Sequence, residues 1–222
     1  MLKVNHLYKN YRSEGNIYEV LKDVNFQIDK GEFVAVMGPS GSGKTTLLNC
    51  ISRFIPHDSG QILLNDTDLS TLSEKQIASV RNEKLGFVFQ DFMLLDGLTV
   101  FENVCIPKII KGSSYRPMEE KAKKLLEVFG ISHISDKYPA EISGGQKQRT
   151  AVARALMNNP LLILADEPTG NLDSKSSYCD RVIVMKDGMI FTEIRREGGR
   201  KAFMDSLLDV LADMNGGDSN EA

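Results

Sequence analysis

An α/β fold with an inserted helical region is predicted by three features of this 222-residue sequence. Two short, uninterrupted apolar runs, "EFVAVMG" and "LLILAD", end in turn-forming or acidic residues, the pattern of parallel strands buried on both faces. Between them, from about Thr99 to Asn158, the apolar spacing becomes helical. Ahead of both, "VNFQID" alternates Val24, Phe26 and Ile28 with polar neighbours, as a half-buried antiparallel strand does.

The elements follow in order. "GKTTLLNCISRF" continues from the first apolar run as a helix, and "LGFVFQ" reads as another strand. "RPMEEKAKKLLEVFG" places Met118, Ala122, Leu125, Leu126 and Phe129 on one helical face, with a start at Pro117 and a stop at Gly130. "GGQKQRTAVARALMNN" is a second helix, capped by Ser143 and ended before Pro160. "RVIVMKDGMIFTEI" is a hairpin whose Asp187-Gly188 is a type I′ turn signal. An amphipathic helix around "KAFMDSLLDVLADM" and a frayed "NGGDSNEA" close the chain. The expected organisation is one unit, with residues 1–90 and 160–222 as the α/β core and residues 91–159 as a helical subdomain.

Composition narrows the partners. Hydrophobic residues make up 41% and charged residues 26%, an ordinary globular balance. A net charge of −3 and a pI near 5.7 give no basic face for nucleic acid, and "RREGGR" (Arg195 to Arg200) reads as a solvated turn. The three cysteines, Cys50, Cys105 and Cys179, have neither disulfide nor metal-ligand spacing, which suits a reducing compartment. "MLKVNHLYKNY" lacks a signal layout, and no apolar run approaches the ~18–20 residues of a membrane span. Any membrane role is therefore expected to come through a partner.

"GPSGSGKT", Gly38 to Thr45, fits G-x-x-x-x-G-K-[ST] in full, directly after an apolar strand and directly before a helix. Glycines 38, 41 and 43 let backbone N–H groups curl around a phosphate. Pro39, Ser40 and Ser42 complete the loop, and Thr46 follows it into the helix, whose N-terminus favours an anion. Lys44 is placed to reach the β- and γ-phosphates, and the Thr45 hydroxyl to ligate Mg²⁺. The second apolar strand ends in Asp166 and Glu167, where the first acid suits a Mg²⁺ shell and the second a general base for water. The fold class is then α/β with a P-loop NTPase core, an N-terminal antiparallel β region and an inserted helical subdomain.

"ISGGQKQR", Ile142 to Arg149, resembles the LSGGQ signature of ABC ATPases, with Ile in place of Leu. Ser143, Gly144, Gly145 and Gln146 open a helix and would meet the ATP held by a second subunit. By the same resemblance, Tyr11 stacks on adenine, Gln90 in "FVFQ" is the Q-loop glutamine at Mg²⁺ or water, Pro168 follows the acid pair, and Asp173 in "GNLD" is the D-loop residue. Within the family, "GFVFQDFMLLDGLTVFENV" and "ADEPTGNLDSKS" look most like the macrolide-export and lipoprotein-release group. The ending "SYCDRVIVMKDG" looks like the bacitracin-efflux type. The resemblance implies ATP and Mg²⁺, hydrolysis, a homodimer, an integral-membrane permease, and a place on the inner face of the cell membrane. Phe92, Met93, Leu94 and Leu95 would line the groove that receives the permease.

One part of the family pattern is missing. After the D-loop, such chains continue through a helix and a strand to a switch histidine. This chain has only His6, His57 and His133, all ahead of Asp166. Glu167 to Arg181 spans 15 residues, against about 30 for a βαβ unit. Two expectations follow: an ATP-hydrolysing transporter subunit, or a nucleotide-binding subunit impaired in hydrolysis.

Overall fold

The computed structural model describes residues 1–13, 15–166, 179–197 and 199–216, which fall into two units, Met1–Thr71 with Asn171–Ala222 and Leu72–Gly170.

In the first unit, β1 (Leu2–Ser13) and β2 (Asn16–Ile28) form an antiparallel hairpin, with Leu2 opposite Ile28 and Ser13 opposite Asn16. β4 (Ser59–Leu64) pairs antiparallel on the other side of β1, and β5 (Thr67–Asp68) pairs with β4. The predicted alternation holds at Val24 and Phe26, buried between exposed Asp23, Asn25 and Gln27, while Ile28 is half-buried; Leu2, Val4, Leu7 and Leu21 are buried with them. β3 (Val34–Met37) runs parallel to β8 (Arg181–Lys186), and β8 pairs antiparallel with β9 (Met189–Arg195). Phe203 and Leu207 of α6 (Arg200–Gly216) cover Met37, Val182 and Val184. α1 (Lys44–Ile51) buries Leu47, Cys50 and Ile51.

The β8–β9 turn has the predicted I′ character, with φ of 51° at Asp187 and 83° at Gly188. Glycine is required at 188 by this positive φ and by the close approach of β2. A Cβ on Gly188 would lie 2.5 Å from the Val20 carbonyl oxygen, and the Gly188 carbonyl accepts the Lys22 N–H at 2.8 Å.

In the second unit, β6 (Leu85–Val88) and β7 (Leu162–Ala165) are a parallel pair, preceded by α2 (Glu74–Glu83). α3 (Val100–Ile110), α4 (Tyr115–Val128) and α5 (Gly144–Leu156) form the helical part. α4 begins at Tyr115, two residues before the expected Pro117. The proline still falls in the first turn, where an N–H would have no intrahelical partner. Its face is as predicted, with Met118, Ala122 and Leu126 packed beside Val104 and Ala153. Gly130, at φ 64°, donates to the Glu127 carbonyl at 2.9 Å and ends the segment as expected.

The α/β architecture is therefore present, with one parallel pair among the described residues of each unit. Cys50, Cys105 and Cys179 are all buried, and burial pushes the thiols of Cys50 and Cys105 up to about 11 and that of Cys179 upward. Ellman's reagent at pH 8 is expected to find no reactive thiol in the native protein and three after guanidinium denaturation.

Candidate nucleotide-binding site

The glycine-rich loop leaves β3 and enters α1 as the motif requires, with Gly43 at the helix N-cap. Its path is set by neighbours that the motif does not contain. A Cβ on Gly38 would sit 2.2 Å from the Met185 carbonyl oxygen, and one on Gly43 would sit 2.9 Å from the Val20 carbonyl oxygen. The end of β8 and the middle of β2 thus frame the loop, and only glycine fits at those two points. Gly41, at φ 82°, has nothing near its Cβ position and serves the turn itself.

Lys44 folds back over this loop. Its ammonium donates to the carbonyls of Gly38 at 2.9 Å and Pro39 at 2.8 Å, and to Ser42 Oγ at 3.4 Å. All three partners are neutral, so the charge is held at the loop without a carboxylate among them. Ser42 is buried, whereas Pro39, Ser40 and Thr45 are exposed and Thr46 is half-buried, beside the helix N-terminus.

Gln90 and Asp166 come together in the second unit. β6 and β7 are parallel neighbours with Val88 opposite Ala165, and the Asp166 N–H donates to the Val88 carbonyl at 3.0 Å. Gln90 lies two residues past β6 and Asp166 one past β7, so both stand at the carboxyl ends of adjacent parallel strands, where open α/β sheets bind ligands. The predicted base Glu167 and the D-loop residue Asp173 lie outside the described residues, as does Pro168.

Ser143 caps α5 as predicted. Its side chain accepts the Gln146 N–H at 3.4 Å, while the Gln146 side chain accepts the Ser143 N–H at 2.8 Å, a capping box. Gly144 and Gly145 are exposed at the start of this helix. A Cβ on Gly144 would meet nothing within 4 Å, and one on Gly145 only Arg149 Nη1 at 3.8 Å. Neither has a positive φ. Nothing inside the described chain demands glycine at these positions, although glycine in a helix costs up to ~1 kcal/mol relative to alanine. Both positions are open to whatever approaches from beyond the described residues. Gly144→Ala is accordingly expected to leave the melting temperature unchanged or raised, while lowering ATP turnover at least tenfold. A calorimetric scan and a phosphate-release assay on one preparation check both parts.

Tyr11 is exposed on β1 opposite Tyr18, with Lys9 Nζ 5.4 Å from its ring centroid. The ring is therefore presented to solvent next to a cation. Of the histidines, His6 sits at an irregularity of β1 with its Nδ1 2.7 Å from Asp23 Oδ1. His57 is held below the usual imidazole range, first by burial and then by Arg53. His133 lies in a single short turn, Ser132–Ile134.

The ABC transporter family matches residues 21–170, and the chain belongs to it. It is 45% identical to the ABC transporter ATP-binding protein YxdL of Bacillus subtilis (strain 168), over 100% of this chain and 96% of that protein. It is 39% identical to the bacitracin export ATP-binding protein BceA of Halalkalibacterium halodurans, over 97% of each. Among solved structures it resembles the dimeric structure of MJ0796, a bacterial ABC transporter cassette, with 35% identity and a TM-score of 0.80 over 90% of this chain and 100% of that one. The alignment with YxdL runs over 250 residues against the 222 of this chain, so about 28 positions of the relative have no counterpart here. That shortfall is close in size to a βαβ unit of about 30 residues.

Proposed function

We propose that this chain is the ATP-binding subunit of an ABC transporter, which binds MgATP at Gly38 to Thr46 and hydrolyses it to ADP and phosphate to power a membrane permease. The observation that carries the reading is the Lys44 ammonium, held by neutral oxygens over a glycine loop at the N-terminus of α1. The donor set also fits Mg²⁺, since a hydroxyl (Thr45), an amide carbonyl (Gln90) and a carboxylate (Asp166) are the hard oxygen ligands that this ion takes. The ion would neutralise charge on the phosphates. The loop amides and Lys44 hold the phosphates, Tyr11 supports adenine, and Glu167 takes a proton from the attacking water.

The exposed Ser143, Gly144 and Gly145 support a homodimer, in which each signature helix meets the partner's nucleotide and Asp173 faces the partner's site. The likeness to dimeric MJ0796 points the same way. Among the described residues no helix is long and apolar enough to cross a membrane. In this reading an integral-membrane permease is the partner, with this subunit peripheral on the inner face of the membrane. No nucleic-acid role is proposed. The likeness to BceA supports bacitracin-like peptide efflux or resistance as the transported function.

Phosphate release from MgATP by the purified chain, compared with a Lys44→Met control, tests this. Turnover that disappears in the control supports an enzyme. ATP retained without turnover identifies the hydrolysis-impaired subunit, the alternative reading. Neither binding nor turnover sinks both.

A further inference from the structure

The turn between α3 and α4 is sharply defined, and it carries apolar side chains into solvent. α3 ends in a Schellman motif. The Ser113 N–H donates to the Lys108 carbonyl at 3.0 Å and the Gly112 N–H to the Ile109 carbonyl at 2.9 Å, with Gly112 at φ 71°. Ser114 then precedes α4, whose first residue is Tyr115. The turn so fixed leaves Ile109 55%, Ile110 70% and Tyr115 63% exposed. Single exposed apolar residues are ordinary, but two isoleucines and a tyrosine within seven positions form a patch.

Cations accompany it. Residues 108–124 hold six lysines and arginines against Glu119 and Glu120, in a chain whose net charge is −3. Three of the six have carboxylate partners, Lys111 in Glu83 at 2.5 Å, Arg116 in Glu120 at 3.5 Å and Lys123 in Glu119 at 2.8 Å. Among the described residues, Lys108, Lys121 and Lys124 pair with no carboxylate. Lys121 donates instead to the neutral Asn159 side chain, and burial together with the nearby Lys108 holds its ammonium below the usual lysine range. The carboxyl end of α3 favours Lys108 and Lys111, but it gives no reason for the isoleucine pair between them.

We propose that the α3–α4 turn is a membrane-surface contact, in which Ile109, Ile110 and Tyr115 enter the headgroup layer of an anionic bilayer while Lys108, Lys121 and Lys124 meet its phosphates. Aliphatic tips, an aromatic ring with a polar end, and lysines that extend their charge past an apolar stem are the composition of interfacial anchors. The cytoplasmic leaflet supplies the negative charge that the three lysines lack. A headgroup layer takes such a tip without a matching pocket, whereas a protein partner would have to supply one. The contact needs no spanning helix. It rests on the reading that places this subunit on the inner face of the membrane, and adds a direct lipid contact to the one made through the permease.

The chain has no tryptophan, so Tyr115→Trp makes a single fluorescent reporter in the full protein. Val128→Trp, at a 70% exposed position that ends α4, is the matched control. With vesicles of equal parts phosphatidylglycerol and phosphatidylethanolamine, the Tyr115→Trp protein should shift its emission to shorter wavelength and the Val128→Trp protein should not. Pure phosphatidylcholine vesicles should bind about tenfold more weakly or less. Adding Ile110→Glu should lower the partition coefficient about tenfold or more, and Lys108→Gln with Lys124→Gln about fivefold or more, at unchanged melting temperature. The absence of a shift in the Tyr115→Trp protein overturns the proposal and leaves the patch to a protein partner. Equal shifts in both reporters, or a partition coefficient indifferent to Ile110→Glu, overturn it as non-specific adsorption. The vesicles hold no permease, so each of these results leaves the permease reading standing. That reading is checked separately, by whether the tagged chain co-purifies with an integral membrane protein from its host.

Discussion

Replacing Lys44 with methionine should weaken ATP binding about 100-fold or more and bring phosphate release to background. The side chain is already poised, its ammonium bonded to two loop carbonyls and a serine hydroxyl, all neutral. In the proposed function, a nucleotide phosphate is the anion that this ammonium would meet. Hydrogen bonds to charged groups contribute about 1.5–3 kcal/mol each, so the loss of two amounts to at least ~3 kcal/mol, or roughly two orders of magnitude in affinity. Methionine keeps most of the aliphatic stem, and a melting temperature within a few degrees of wild type would separate lost chemistry from lost fold. Titration with a fluorescent ATP analogue reads the affinity. Unchanged affinity would place the nucleotide away from this loop.

The second large effect concerns stability. Arg181, at the start of β8, is 2% exposed. Its Nε and Nη2 reach the two Glu32 oxygens at 2.8 and 3.1 Å, and its Nη1 reaches Glu193 Oε2 at 2.7 Å. Its Nη2 also donates to the Gln27 carbonyl. One side chain thus ties the end of β2, the turn into β3, and β9 to the strand that backs the glycine loop. Arg181→Ala should cost about 3 kcal/mol in urea unfolding, because it empties a buried site and leaves the half-buried Glu32 without its cation. Arg181→Met combined with Glu32→Gln should recover part of that loss.

The pH dependence of this cluster has a definite sign. Burial pushes the Glu32 carboxyl upward, but the Asp29 N–H and the Arg181 guanidinium outweigh it and hold the carboxyl below its usual range. A depressed carboxylate contributes stability that is fully present above the ordinary glutamate value, about 4.3, and lost as pH falls through the lower folded value. The gap in urea midpoint between wild type and Arg181→Ala should therefore be widest near neutrality and narrow below about pH 4. A constant gap would show that packing, rather than the ion pair, carries the effect.

Much of the site was legible because its chemistry is local. The glycine loop, its flanking strand and helix, the capped start of α5 and the Asp187-Gly188 turn each depend on residues a few positions apart, and each formed where the pattern placed it. α2 was not legible. It is mostly polar, with Ile77 its one buried residue, so it carries almost no apolar stripe, and its start is marked by the Ser73–Gln76 capping box and Glu74 in the first turn. The start of α4 was placed two residues late because Pro117 tolerates any first-turn position. The hydrogen bonds from Arg154 to the Met93 and Phe92 carbonyls left no signature at all. They span 61 and 62 positions, and backbone acceptors carry no residue code to match.

The sequence by itself determined the family, the phosphate loop and the residue types that would serve it, because strand, glycine turn and helix N-terminus are written in consecutive residues. It also determined the shortness of the stretch after Asp166, a matter of counting. Only the tertiary structure decided which carbonyls crowd Gly38 and Gly43, that nothing among the described residues requires glycine at 144 and 145, and that Met93 and Leu95 are exposed. Those facts depend on distances between segments far apart in the chain, and such distances are fixed by packing rather than by spacing along the sequence.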